Sequence, residues 1–342
     1  MLKCKERYEG EHMIKVGLLG SGNISELFVQ ATKAVDGMEA IAVFNRDQHK
    51  ANIFADEHRI KKAYNDINIM LNDAEINCIY IGLPNSMHFD YALKAIKAGK
   101  TVIIEKPFVS NLAEFDQIQK AAEESGTMVF EMTRVMELPN YKTIKDHLEL
   151  ILPIRLVTIN FSQYSRRYND LLAGKMPNVF SDEFSGGALM DLGVYGVHLM
   201  VGLFGKPRGL MYVANHLSNS VDLSGSLIMK YKGFIASLVQ SKNSKCDNRI
   251  TIQGERGTIY VTPTASLLST VELDMDERTD ISVKQEHESM VYTLEKIAGV
   301  VQRKDVAMHQ RMLAHSRDVM EVLEKARRSA GITFVADNKK KM

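Results

Sequence analysis

The sequence predicts an α/β protein in two parts. A doubly wound parallel sheet occupies residues 1–134, and an α+β domain with an open, largely antiparallel sheet occupies residues 135–342. Two observations carry this. In the first part, short and nearly continuous apolar runs alternate with segments of helical spacing, as expected of strands covered by helices on both faces. In the second part, the runs alternate apolar with polar residues and succeed one another across turn residues, as antiparallel strands do.

The elements of the first part follow in order. IKVGLLG (14–20) is an apolar run ending in glycine, and NISELFVQATKAV follows with Ile24, Leu27, Phe28 and Ala31 on one helical face. EAIAVFN is the second strand, RDQHKANIFADEH the second helix and INCIYIGLP (76–84) the next strand. SMHFDYALKAIKAG opens at a Ser86 cap and stops at Gly99. TVIIEK (101–106) is a strand, and the helix after it opens with Asn111 and Glu114 at capping-box spacing and closes before Gly126. TMVFEM is a further strand. Ligands of such sheets bind beyond the carboxyl ends of the strands, which here are Gly20, Asn45, Pro84, Lys106 and about Glu131.

In the second part the strands are RLVTINFS, GLMYVANH, GSLIMKYKG, FIASLVQS, RITIQG and GTIYVTP. Helices are expected at GALMDLGVYGVHLMVGLFG and over about 308–328. A sheet covered by helices on one face leaves the other open, so a homodimer or homotetramer built through it is expected.

Composition narrows the function. With 342 residues and a net charge of +1, nothing points to nucleic acid or to an anionic membrane. Cys4, Cys78 and Cys246 are scattered and odd in number, which suits a reducing compartment and provides neither disulfide framework nor cysteine metal site. The charged start MLKCKERYEGEH is no secretory signal, and GVYGVHLMVGLFG is too short and broken to span a bilayer. A cytoplasmic protein is expected, with residues 1–12 a disordered extension and NKKKM a solvated tail.

The chemistry-bearing residues lie at the strand ends. Gly20-Ser21-Gly22-Asn23-Ile24-Ser25 matches the dinucleotide turn G-x-G-x-x-G, with Ser25 in place of the third glycine. The first glycine makes the turn, the second admits a pyrophosphate, and the helix start supplies amides. The second strand ends Asn45-Arg46-Asp47 without an acid at its tip. Arg46 with Asn45 suits the 2′-phosphate of NADP, the preferred reading; the alternative has Asp47 on the ribose of NAD. Glu105-Lys106-Pro107 ends a buried-looking strand in charge, either because the strand meets solvent or because Lys106 faces a crevice. Asp191 and Tyr195, four apart on the central helix, share a face; the carboxylate either pairs structurally or faces a site. Tyr164, Arg166, Arg167 and Tyr168 are candidates for stacking on a sugar or binding an anion, or else belong to a solvated loop. His88 is a packing residue or a ligand contact. His198 reads as packing, and lacking a third ligand beside Asp191 it implies no metal.

These motifs together resemble the glucose–fructose oxidoreductase and inositol dehydrogenase family (Gfo/Idh/MocA), from Met13 to about Asp337. The E-K-P triplet and the run GGALMDLGVY are the specific signals. The resemblance implies a Rossmann domain followed by an open mixed sheet, and an NAD(P)-dependent dehydrogenase or reductase acting on a sugar-like or other hydroxylated small molecule. It implies that Leu83, Pro84 and Asn85, with Glu105, Lys106 and Pro107, lie along the cofactor, His88 being a candidate contact beside them, and that Lys106, Asp191 and Tyr195 are catalytic. Tyr195 stands where many members have histidine, as in the glucose–fructose oxidoreductase and dihydrodiol dehydrogenase branch. Whether Lys106 or Tyr195 moves the proton is left open; lysine serves as the base if burial and the cofactor's cationic ring lower its pKa. Two other activities occur in the family: a glycosidase using its cofactor transiently, and a sensor without turnover. Intact Lys106, Asp191 and Tyr195 speak against the sensor.

Overall fold

The computed structural model describes residues 13–219 and 221–338; the expected extension, Cys4 and the last four residues of the tail lie outside them. The first part runs β1 (Ile14–Leu19), α1 (Asn23–Thr32), β2 (Met38–Phe44), α2 (Gln48–His58), β3 (Lys62–Tyr64), α3 (Ile67–Leu71), β4 (Cys78–Ile81), α4 (His88–Lys97), β5 (Thr101–Glu105), α5 (Leu112–Ser125) and β6 (Val129–Met132). Its strands pair in parallel in the order β3-β2-β1-β4-β5-β6. The order reverses between β1 and β4, and the crevice that opens there is where such sheets take their ligands. Buried strands explain the apolar runs: Val16, Leu18, Ile79, Ile81, Val102 and Ile104 are wholly buried.

The second part runs α6 (Pro139–His147), β7 (Ile154–Ser162), α7 (Arg166–Leu172), a π-helical turn (Leu189–Gly193), α8 (Val194–Phe204), β8 (Gly209–His216), β9 (Asp222–Lys230), β10 (Ile235–Ser241), β11 (Arg249–Gly254), β12 (Thr258–Thr262), β13 (Thr270–Asp274), β14 (Arg278–Asp280), α9 (Ser289–Gln302) and α10 (Val306–Ser329). The strands form one sheet, β14-β13-β12-β11-β7-β10-β9-β8. Every pairing is antiparallel except β7 with β10, as the alternating pattern predicts. Ala236 and Leu238 face the helices, while Ile235 and Val239 face outward, with Leu156, Met211 and Val213 beside them on the open face.

The chain then returns to the first sheet. On α9, Met290, Leu294 and Ile297 join the same buried cluster as Phe28 and Tyr80. At the end of α10, buried Arg327 donates both guanidinium arms to Asp337 at 2.6 Å and also reaches the Ser110 carbonyl at 3.3 Å. Breaking such a buried pair costs roughly 3–5 kcal/mol, so the segment GITFVAD is fixed over the loop that follows β5.

His198 is not plain packing. It stands between Glu131 Oε1, at 3.3 Å from Nε2, and His315 Nε2, at 3.0 Å from Nδ1. The chain of polar groups thus crosses from β6 through α8 to α10, where apolar packing was expected. Burial pushes the His315 pKa down to about 3. The unfolded chain binds that proton near the ordinary value of about 6.5, so stability is lost as pH falls below there, until the folded imidazole itself titrates. Glu131, held low by His198 although burial opposes it, adds loss in the same direction. We predict that His315→Gln narrows the difference in melting temperature between neutral and mildly acidic buffer, as measured by thermal unfolding.

Candidate active site

The glycine turn is built for an anion. Gly20 has φ +105°, and a Cβ there would lie 3.0 Å from the Gly82 carbonyl, so the turn requires glycine. Gly22 precedes α1 with no side-chain cap, and among the described residues nothing lies within 4 Å of where its Cβ would be. The first amides of α1 therefore face open space at the positive end of the helix. Ser25 is tolerated in place of glycine because Gly82 opposes it: a Cβ on Gly82 would come within 2.9 Å of Ser25 Oγ. Ser21 Oγ accepts from Asn45 Nδ2 at 2.7 Å, tying the turn to the tip of β2.

At that tip Arg46 is exposed and makes no hydrogen bond or ion pair among the described residues. Asp47 instead caps α2, Oδ1 accepting from the amides of His49 at 3.0 Å and Lys50 at 3.3 Å. The carboxylate is thus engaged on its own helix, while the guanidinium beside it stands free.

A cavity of about 840 Å3 runs from this turn into the second part. Gly22, Asn23, Ile24, Leu83, Pro84, Asn85, Glu105 and Lys106 line one wall, and Asp191 and Tyr195 line the other. Asn85 also donates to the Ser185 carbonyl at 2.9 Å, so it ties the two walls together. Pro107 follows through a cis peptide bond. His88, a candidate cofactor contact, is fully buried and does not line the cavity. Its ring lies 2.8 Å from the Leu83 carbonyl and 3.0 Å from that of Pro107, bracing the two loops from behind.

Lys106 and Asp191 meet across the seam. Lys106 Nζ donates to Asp191 Oδ1 at 2.8 Å and to the Asp191 carbonyl at 2.9 Å. The π turn presents both oxygens on one side, a widening common at functional sites. Gly187 makes room just before it: at φ +116°, a Cβ would sit 2.0 Å from Asp222 Oδ1, whose partner oxygen accepts from the Leu189 amide at 2.7 Å. Burial by itself would lower the Lys106 pKa, but Asp191 and Tyr195 outweigh it, and the ammonium is held above the ordinary lysine range. The expectation of a lysine lowered to serve as base was tied to the cofactor's cationic ring; the protein's own groups act in the opposite sense and favour the charged form of Lys106.

Two neighbours were not foreseen. Lys242, just past β10, places its ammonium on Asp191 Oδ2. Arg134, just past β6 with φ +50°, donates to Tyr195 Oη. Arg134 had a legible signal, since it follows a strand whose carboxyl end joins the crevice; Lys242 had none beyond a charge at the end of a buried strand. Of the four candidate substrate residues only Arg167 lines the cavity. Tyr164, Arg166 and Tyr168 lie on and beside the short helix α7, where Tyr164 bonds Asn169 and packs edge-on against Tyr168. The far wall carries amides and hydroxyls instead: Gln163, Asn178, Asn248, Thr264 and Ser266.

Residues 14–133 match the family model "Oxidoreductase family, NAD-binding Rossmann fold", and residues 153–260 match the "GFO/IDH/MocA C-terminal domain". The chain belongs to the Gfo/Idh/MocA family. It is therefore an oxidoreductase with an NAD(P)-binding Rossmann domain, and the open turn at Gly20–Ile24 fits that cofactor's diphosphate. It is 32% identical over 327 residues to scyllo-inositol 2-dehydrogenase (NADP(+)) IolU of Bacillus subtilis (strain 168), which covers 95% of this chain and 99% of the relative. It is 26% identical to trans-1,2-dihydrobenzene-1,2-diol dehydrogenase of Xenopus tropicalis over 94% of this chain and 99% of that one. In fold it matches KijD10, a 3-ketoreductase from Actinomadura kijaniata solved with NADP and TDP-benzene, at a TM-score of 0.82 and 20% identity over 93% of this chain and 98% of that one.

The hydroxyl of Tyr195 accepts from Arg134, which leaves its own proton free to turn into the cavity. We predict that Tyr195→Phe still binds NADPH, read by cofactor fluorescence, while kcat falls roughly a hundred- to ten-thousand-fold, the usual worth of a general acid–base group.

Proposed function

We propose that the protein uses NADP to interconvert a hydroxyl and a carbonyl on an uncharged, sugar-like or cyclitol-like molecule, with Tyr195 passing the proton. The observation that carries this reading is the single cavity joining the glycine turn to Lys106, Asp191 and Tyr195. The nicotinamide supplies or takes the hydride. Lys106 holds the reacting oxygen by a charge-assisted hydrogen bond, because its ammonium stays protonated. Tyr195 Oη gives the proton to that oxygen or removes it, and the Arg134 guanidinium stabilises the phenolate charge that results. Asp191 fixes Lys106 in place. The amides and hydroxyls of the far wall suit a ring bearing several hydroxyl groups, and Arg167 is the cation at its rim. Neither the glycosidase nor the sensor reading gains support from the relatives, which are named dehydrogenases and a reductase.

The free Arg46 and the engaged Asp47 support NADP over NAD. Purified protein would be offered each cofactor with a panel of sugars, inositols and other polyols, following reduced-nicotinamide absorbance, with nitrophenyl glycosides run in parallel. Accumulation of NADPH is expected; aglycone release without net change in the cofactor would overturn the reading. In Arg46→Ala we expect kcat/KM for NADP to fall at least tenfold, with that for NAD little changed.

We also infer a homodimer or homotetramer built through the open sheet face. Leu156, Met211, Val213, Ile235 and Val239 lie there 38–62% exposed, on β7, β10 and β8, with β9 between the last two. Large apolar side chains grouped on an outward face are typical of a partner surface. The double substitution Val213→Glu, Val239→Glu should reduce the mass measured by light scattering, and an unaltered protein that is already monomeric would contradict the inference. The reducing cytoplasm is the inferred compartment, supported by the free, exposed thiol of Cys246.

A further inference from the structure

Asp191 is shared between two lysines, and only one of them lines the cavity. Lys242 contributes an ammonium whose side chain is 7% exposed, and among the described residues that ammonium bonds nothing but Asp191 Oδ2. Its backbone is fixed as firmly: the amide donates to the Leu223 carbonyl at 2.8 Å, and its carbonyl accepts from the Ser165 amide at 2.8 Å. A buried lysine so held has a single outlet for its charge, the carboxylate that also holds Lys106.

We propose that Lys242 is a positioning residue of the active site: it divides the charge of Asp191 with Lys106, so that Lys106 is aimed by the carboxylate without being neutralised by it. The inference deepens the hydride-transfer reading and rests on it. With one lysine, the pair would be neutral and its field at the reacting oxygen small. With two, the group keeps a net positive charge where an alkoxide forms.

The surrounding charges decide how that field is felt. Glu105 and Lys106 come from the end of β5, Tyr80 from β4, Arg134 from beyond β6, Asp191 and Tyr195 from the π turn and α8, and Glu288 from the start of α9, close enough for its charge to act on Arg134. Burial by itself would raise the Asp191 pKa, but the two ammonium groups overcome it and hold the carboxyl well below the usual range. Removing Lys242 leaves Asp191 wholly to Lys106 and takes one positive charge from the cluster. Both changes favour the protonated state of Tyr195, the group that moves the proton in this reading.

The test compares Lys242→Met, which keeps the length without the charge, with Lys242→Arg, which keeps the charge. In the oxidation direction, the pH at which kcat is half-maximal should move to higher values by about one unit in Lys242→Met and stay in place in Lys242→Arg. Fluorescence titration should show NADPH affinity within twofold in both, because Lys242 lies off the cofactor wall. A loss of kcat with an unmoved profile would make Lys242 structural only and overturn the proposal.

A second readout does not require turnover. Competitive reductive methylation with isotopic formaldehyde, read at the Lys106 peptide by mass spectrometry at one alkaline pH, should label Lys106 severalfold more slowly in Lys242→Met than in the unaltered protein or in Lys242→Arg. Equal labelling in all three overturns the division of charge. Slower labelling in a protein that binds NADPH yet turns over nothing would instead retain the role of Lys242 and remove the oxidoreductase reading. If Lys242→Met does not fold, Lys242→Gln is uncharged and carries the same expectations.

Discussion

The ion pair between Lys106 and Asp191 is the constraint on which the rest of the structure depends. One partner ends a central strand of the parallel sheet; the other sits on a widened turn that begins the central helix of the second part. The two reach each other only if both parts are held in one orientation. The contacts around the pair supply that orientation: Asn85 to the Ser185 carbonyl, Ser185 Oγ to Ser110 Oγ, and Arg327 from the last helix to the Ser110 carbonyl. The return of α9 onto the first sheet acts in the same sense, since it shares a core with β1 and β4. What looks in sequence like two successive domains is thus fastened at the seam where the proposed chemistry lies.

The pair also sets the electrostatics. Burying a lysine and an aspartate is unfavourable for each alone, and their attraction offsets this only when the remaining donors and acceptors are satisfied. Here the Asp191 carbonyl and Lys242 complete that set, and Arg134 adds a third cation opposite Tyr195. The positive charge is therefore preorganised before substrate arrives. In the proposed reaction, an oxygen gaining negative charge as a carbonyl is reduced would meet donors already in place. In the proposed reaction the far wall, with its amides and hydroxyls, would contribute selectivity instead of charge.

Much of this was legible in the sequence because it rests on local rules. The glycine turn, the alternation of strand and helix, and the row of strand ends follow from backbone geometry, and they bring Gly20, Pro84 and Lys106 to one crevice. Asp191 and Tyr195 were legible because four residues along a helix return to the same face. Lys242 was not, because its place beside Asp191 comes from the parallel pairing of β10 with β7, a long-range contact without local signature. Short or exposed elements such as β3, β13, β14 and α7 escaped for the opposite reason: too few buried residues fix their pattern. The formation of α7 also carries Tyr164, Arg166 and Tyr168 off the cavity wall, so a cluster that looked like substrate recognition is mostly the outside of a small helix. His88 was judged by its neighbours in sequence, whereas its ring bridges two carbonyls nineteen and five residues away.

The central claim is that the nicotinamide and the reacting oxygen meet between Lys106 and Tyr195. A crystal structure of the NADP complex measures this directly. The account predicts the diphosphate against the amides at Gly22–Ile24, the nicotinamide ring in contact with Lys106, and Tyr195 Oη facing the same pocket, with Lys106 still paired to Asp191. A nicotinamide ring lying away from Lys106 and Tyr195, or an ion pair that opens when the cofactor binds, would contradict it.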